Sequence, residues 1–211
     1  MKTILRVSAA IPLFLSPLAM AGENVPDRYG YIGGHASYYT FYDNDVIGNG
    51  FDGLDDVPFY GGQLGWRFHP NWSVQGWYDE VEGDAESQYD SGRRVDMTNY
   101  FVSGRYHFND TSLLGFEPYA GINVGEQYIE SLNNPNSDKN DELMTGVELG
   151  VQRAFFKHVI LDLGTRHAYS TDREYWEGQV YAGLNLAFGI SNDSDDSAED
   201  EGVAATPAEV G

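Results

Sequence analysis

The sequence predicts an all-β protein: an eight-stranded antiparallel transmembrane β-barrel of up-and-down order, preceded by a cleaved signal peptide and followed by a disordered acidic tail. Three observations predict it. Along residues 177–190 the large apolar side chains Val180, Leu184, Leu186, Phe188 and Ile190 fall in one register, with Ala182 between them. Gln179, Tyr181, Gly183, Asn185, Ala187 and Gly189 fill the other. A period of two gives a strand with one greasy face and one polar or small face. The same pattern recurs through the chain, and the chain opens with a secretion leader.

The leader comes first. Lys2 and Arg6 flank the start of an apolar run from Val7 to Met20, broken by Pro12 and Pro17. Ala19-Met20-Ala21 is a small-residue cleavage site followed by Gly22. The run is too short to span a bilayer, so it reads as a Sec-type signal peptide cut after Ala21. The expected division is 1–21 signal peptide, 22–190 barrel and 191–211 tail.

Eight strands follow, at about Tyr29–Tyr42, Pro58–Phe68, Trp72–Val81, Met97–Phe108, Phe116–Ile129, Leu143–Phe155, Val159–Tyr169 and Trp176–Ile190. Most are longer than soluble strands and match the roughly 9–11 residues that cross a membrane at a tilt. Connections alternate in character. His69-Pro70-Asn71, Asn109–Gly115 and Phe156-Lys157-His158 are short. Asp43–Val57, Glu82–Asp96 and Glu130–Glu142 are long and acidic, and Ser170–Tyr175 is a short fourth member of that set. Short turns at one end and long loops at the other are the habit of outer-membrane barrels. The short set is assigned to the periplasm and the long set to the exterior. From Ser191 the pattern stops in an acidic run of low complexity, which reads as disordered.

Parity assigns the faces. Tyr60, Leu64, Trp66, Phe68, Trp72, Val74, Tyr78, Val102, Tyr106, Phe108, Leu161, Leu163, Tyr169 and Leu184 point to lipid, with aromatics collected near strand ends as interfacial girdles. The opposite register carries His35, Ser37, Gln63, Arg67, Gln75, Asp79, Arg105, His107, Asn123, Glu148, Gln152, Asp162 and Arg166. An eight-stranded barrel is narrow enough for side chains to fill. Charges inside it must pair, because an isolated buried charge is very costly.

With strands, turns and leader in place, the chain resembles the outer membrane protein A (OmpA) family, and more closely its OprF-type porins. Tyr31-Ile-Gly-Gly-His-Ala-Ser resembles the family's first strand and Phe116-Glu-Pro-Tyr-Ala-Gly-Ile its fifth. Gly146-Val-Glu-Leu-Gly resembles the sixth, with its inward glutamate, and Gly183-Leu-Asn-Leu-Ala-Phe-Gly the closing strand. That last segment also looks like the signal read by the barrel-assembly machinery, carried by Gly183, Leu186 and Phe188. The resemblance implies a structural outer-membrane protein with a narrow, salt-bridged lumen and low-conductance porin activity. Two departures stand out. The family's peptidoglycan-binding domain has no counterpart before Gly211. Where the family places an inward arginine on the seventh strand to meet the glutamate, this register places Asp162. Glu148 then needs Arg67, Arg105 or Arg166.

Composition excludes other classes. Without cysteine there is no disulfide and no thiolate metal site. The net charge of −21 becomes −23 once Lys2 and Arg6 leave, which disfavours nucleic acid. Asp43, Asp45 and Gly48 sit at calcium-loop spacing, but Ile47 and Leu54 occupy positions that need oxygen ligands, so the motif fails. The five histidines show no ligand spacing. His167 and Ser170, with Asp172 and Glu174, invite a lipid A hydrolase, but parity puts His167 toward lipid and Ser170 toward the lumen, so no nucleophile–base pair forms. The chain is therefore expected not to be an enzyme and to need no cofactor. Its expected partners are outer-membrane lipid and lipopolysaccharide, the assembly machinery, and small solutes or surface ligands at the acidic loops. The alternative role is a surface adhesin.

Overall fold

In the computed structural model the described residues are 22–23, 25–41, 51–54, 58–87, 94–131, 140–155, 158–172 and 174–191. The leader, the acidic tail and the start of the acidic loop with Asp43, Asp45 and Gly48 lie outside them. Ten strands occur among the described residues. They are β1 (Gly22–Glu23), β2 (Arg28–Phe41), β3 (Phe51–Leu54), β4 (Pro58–His69), β5 (Trp72–Ser87), β6 (Arg94–His107), β7 (Glu117–Ser131), β8 (Asn140–Phe155), β9 (Val159–Ser170) and β10 (Trp176–Ser191).

Eight of these, all but β1 and β3, pair antiparallel with their neighbours in sequence, and β10 pairs with β2. The sheet is therefore a closed barrel with no lateral edge, the arrangement that satisfies backbone groups in hydrocarbon. Its strands run 12 to 16 residues. No helix among the described residues is long and apolar enough to cross a membrane; crossing is by strands. At the base of β10 the register slips between Phe188 and Ser191, and Gly189 takes φ 61° in that bulge. Only glycine enters that region without strain.

The alternation runs inside out. Ile122 is 71% exposed and Val180 63%, whereas Gln75 and Asp79 are 0% exposed. A soluble sheet would reverse this. Arginine at Leu184, near the middle of β10 on the lipid face, should cost about 2–4 kcal/mol, the depth-dependent price of a cation in hydrocarbon. Urea unfolding in vesicles, followed by the gel shift between unboiled and boiled samples, measures it. An unchanged midpoint would reverse the assignment of faces.

Two sequence expectations need correction. Segment 82–96 reads as a loop, yet β5 continues to Ser87 and β6 begins at Arg94, with Glu82 opposite Asp96 and Asp84 opposite Arg94. Likewise β7 and β8 run past Ile129 and Leu143 to Ser131 and Asn140. A strand that leaves hydrocarbon no longer needs an apolar face, so the alternation that marks a strand can lapse while the backbone ladder continues. The second correction is β3, which pairs with the outer end of β5, Phe51 opposite Ser87 and Leu54 opposite Ala85, inside a stretch that reads as pure loop.

At the opposite end β1 forms a strap. β7 begins opposite Gln152, which leaves the last residues of β8 without a neighbour on that side. Gly22 and Glu23 take the free edge, opposite Phe155 and Ala154. Val25 then packs with Ile190 on a buried cluster of Tyr29, Tyr31, Ala154, Ile160 and Ala187. The short-turn mouth of the barrel is thus floored by apolar side chains.

Candidate functional site

The lumen is filled by polar networks at three levels, interleaved with aromatic and apolar side chains, and Gln179 links the upper two by accepting from Arg166 and donating to Asp79. Nearest the short-turn end, Arg67 Nη1 donates to Glu117 Oε1 at 2.7 Å, and Arg67 also bonds the Pro70 carbonyl. His107 Nδ1 lies 3.1 Å from the same carboxylate, and its Nε2 lies 2.7 Å from Ser73 Oγ. Gln152 Nε2 donates to Glu117 at 2.9 Å, and Tyr29 donates to Gln152.

The central network holds the densest charge. Arg105 Nε donates to Glu148 Oε1 at 2.5 Å and its Nη1 to Asp162 Oδ2 at 2.9 Å. Arg166 Nη2 donates to Glu148 Oε2 at 3.2 Å. Tyr119 donates to Asp162 Oδ1 at 2.5 Å, and the Tyr119 and Tyr181 hydroxyls are 2.5 Å apart. All four charged side chains are buried. Two arginines share two carboxylates, so the local charge balances and most lone pairs find donors. That is the condition under which buried charges are tolerated. Beside this network, Tyr31 donates to Gln75, Gln75 to Gln63 and Gln63 to Asn185.

Toward the opposite end, Asp79 accepts from Trp77 Nε1 at 2.7 Å, Gln179 Nε2 at 2.9 Å and Tyr39 Oη at 3.0 Å. His35 stacks on Trp77 with ring centroids 3.5 Å apart, and its Nε2 is 3.6 Å from Asp79. Trp77, Phe101, Met144, Ala168, Tyr175 and Tyr181 form a buried cluster. Arg166 lies over the rings of Trp77 and Phe101 at 4.5 and 4.7 Å, which gives its buried charge a second source of stabilisation. At the rim Ser170 donates to Glu142 and Gln127 to Glu177.

Of the three arginines left open as partners of Glu148, Arg105 and Arg166 reach it and Arg67 does not. Asp162, which the register places on the seventh barrel strand, stands opposite Gln152. Arg166, on that same strand, stands directly opposite Glu148 in the β8–β9 register. Parity alone cannot rank two inward residues four apart; the stagger between strands does. Sequence reasoning also passed over Glu117, the partner of Arg67, and the inward aromatics Trp77, Phe101 and Tyr119. Their signal was available: each shares the register of a neighbouring polar lumen residue.

On the outer wall, Trp66 and Phe68, Trp72 and Tyr106, Tyr78 and Tyr100, and Tyr169 and Trp176 make ring contacts. Leu184, Leu186 and Phe188 are exposed there and Gly183 faces inward. His167 points outward while Ser170 is buried inward on Glu142, so the two do not form a nucleophile–base pair. Ala19 and Ala21 lie outside the described residues. No group of three or more potential ligands among the described residues is placed to hold a metal ion.

The outer membrane protein beta-barrel domain family matches residues 7–188. The chain belongs to that family. As an outer-membrane barrel it is similar in fold to the neisserial surface protein A (NspA), with 17% identity, 75% of this chain and 97% of that one covered, and a TM-score of 0.54. OprG of Pseudomonas aeruginosa gives 12% identity, coverage of 76% and 97%, and a TM-score of 0.52. The N-terminal barrel of Pseudomonas aeruginosa OprF gives 16% identity, coverage of 78% and 99%, and a TM-score of 0.48. No curated protein matches the chain at a significant level.

Proposed function

We propose that this outer-membrane barrel is a structural protein of a Gram-negative envelope, exported by a Sec-type leader cut after Ala21, with a lumen closed at rest. One observation carries the reading. The Arg105–Glu148–Arg166–Asp162 cluster lies between the aromatic layer of Trp77 and Phe101 and the apolar floor under the strap. Small solutes pass only when that cluster parts, so conduction is rare and narrow. In planar bilayers the wild type should show brief, low-conductance events, and Glu148→Ala should raise their frequency at least severalfold. Unchanged events in Glu148→Ala would remove the gating role and leave the cluster as packing. A large steady conductance in the wild type would overturn the closed lumen.

On this reading the chain acts without catalysis, as expected of a barrel whose His167 faces outward and whose Ser170 faces the lumen. Lipid A acyl composition that changed only on expression would overturn that. During biogenesis the Gly183–Phe188 segment is offered to the assembly machinery. A second reading, surface adhesion, is favoured by the outward extension. β5 and β6 exceed the crossing length and with β3 make a three-stranded flap beyond the bilayer. Deleting 82–96 should then abolish binding to surface ligands while the barrel still folds.

A further inference from the structure

The connection between β6 and β7 carries an apolar tip that the lumen reading does not use. Leu113 and Leu114 are 58% and 89% exposed. They belong to a built turn. The Leu113 N–H donates to the Phe116 carbonyl at 2.8 Å and the Phe116 N–H to the Leu113 carbonyl at 3.0 Å. Between them Leu114 takes φ 54° and Gly115 φ 81°. Positive φ at both central residues makes this a type I′ turn, whose favoured pair is Asn-Gly. A leucine at the first of these positions is strained, and strain of this kind is kept where a contact requires the side chain. Asparagine would adopt the same backbone more easily and would suit water better.

The turn is held in place. Asn71 Nδ2 donates to Asn109 Oδ1 at 2.7 Å, which ties this connection to the neighbouring turn, and the Thr111 N–H donates to the Phe108 carbonyl at 2.9 Å. On the other side Gly115 lies against Arg153, whose Nη1 would stand 3.1 Å from an added Cβ. Arg153 itself lies over the rings of Phe116 and Phe155 at 5.5 and 5.6 Å. The two leucines are therefore presented on a fixed support.

Position on the wall decides what they meet. Glu117 faces the lumen on Arg67, so Phe116, one residue earlier, faces outward with Arg153. Residues opposite each other in a bridge share a face, so Leu113 points outward as well. From Phe116 the outward side of β7 runs without a charge through Ile122 and Val124 to Glu126. That is about ten residues at about 3.4 Å each, tilted by about 40°, or roughly 25 Å, the height of the apolar band of such barrels. Phe116 thus stands where hydrocarbon gives way to headgroups at the short-turn end, with the leucine tip beside it. The Phe108 N–H donates to the Pro118 carbonyl, and Phe108 meets Tyr106, which meets Trp72, so the tip continues the aromatic girdle of the wall. We propose that the Leu113–Leu114 turn is a membrane anchor, inserted into the interfacial layer of the leaflet at the short-turn end and holding that end of the barrel in it. The proposal rests on the outer-membrane placement of the wall and is independent of whether the lumen conducts.

The chain has no cysteine, so single reporters can be placed cleanly. Leu114→Cys, Leu113→Cys and Asp110→Cys each receive an environment-sensitive fluorophore, in the whole chain folded into vesicles of phosphatidylethanolamine and phosphatidylglycerol. Asp110 lies on the same connection and is exposed, so aqueous iodide should quench its label freely. At 113 and 114 iodide quenching should be at least threefold weaker, and nitroxide lipids labelled near the headgroup should quench at least threefold more than at 110. Leu113→Asn with Leu114→Asn suits the turn and should keep the gel shift on boiling. In that background a label at Phe108→Cys should gain at least twofold in iodide quenching, as that end of the wall slips toward water. Equal iodide access at 114 and 110 would overturn the insertion, and an unchanged label at 108 would overturn the anchoring. A label at 114 that is open to iodide in the vesicles but shielded in isolated outer membrane would also overturn the proposal, in favour of a protein partner.

Discussion

Glu148→Ala will lower the stability of the folded barrel by roughly 3–5 kcal/mol, the usual cost of removing one member of a buried charge network. Glu148 receives Arg105 on one carboxylate oxygen and Arg166 on the other. Without it, two guanidinium groups share only Asp162, which bonds Arg105 alone and already accepts Tyr119. One positive charge is then left over a stack of aromatic rings with no carboxylate. Cation–π attraction to Trp77 and Phe101 offsets part of the loss, up to about 2 kcal/mol when desolvated. Glu148→Gln keeps the shape and one acceptor, so it should fall between wild type and alanine. The measurement is the urea midpoint in vesicles by the gel shift on boiling. A midpoint for Glu148→Ala within experimental error of the wild type would mean that the cluster is hydrated and carries no stability.

Gly150→Val should be as damaging, by crowding rather than by charge. Tyr119 lies across Gly150 on the next strand: an added Cβ would sit 2.3 Å from Tyr119 Oη and 2.6 Å from the Leu163 carbonyl. The backbone cannot yield within a closed ladder, so the ring must leave. That breaks the hydrogen bond to Asp162 and the contact of Arg105 with the ring face at 4.4 Å. Overpacking alone costs about 1–3 kcal/mol, and the lost polar contacts add to it. Tyr181 lies over Gly164 in the same way, with Cβ distances of 2.5 and 2.6 Å to the ring oxygen and its carbon. Two tyrosines thus fit two glycines and meet at their hydroxyls. The control is Gly104→Ala, where nothing lies within 4 Å of an added Cβ. It should match or exceed the wild type, since alanine stiffens the unfolded chain. Equal midpoints for Gly150→Val and Gly104→Ala would refute the fitted tyrosine–glycine contacts.

Much of the architecture was legible because a bilayer imposes one rule on every crossing strand. Ile122 and Val180 could be assigned outward from alternation alone, and the short turns at one end set the strand order. The rule stops where the bilayer stops. Residues 82–87 carry Glu82, Gly83, Asp84 and Glu86, a loop-like composition, yet they continue a ladder, because a strand in water has no apolar face to show. Within the lumen, alternation tells which side chains face inward but not how high each stands. The height is set by stagger between strands, which brings Arg166 rather than Asp162 opposite Glu148 and sends Arg67 to Glu117. β1 escaped notice because two residues cannot carry a period.

The seam between β2 and β10 joins the two ends of the barrel sequence, from Gly30 opposite Phe188 to Phe41 opposite Glu177. Apart from the two-residue strap of β1 on β8, the other rungs among the described residues belong to hairpins or near neighbours, which close cheaply and early. This seam is therefore the last to form during folding. Until it does, β2 and β10 present unpaired backbone together with Ile32, Leu184 and Leu186, an invitation to strands from other molecules. Aggregation of the unfinished chain should begin there, and a short peptide copying residues 180–188 should trap the open form by taking the place of β10.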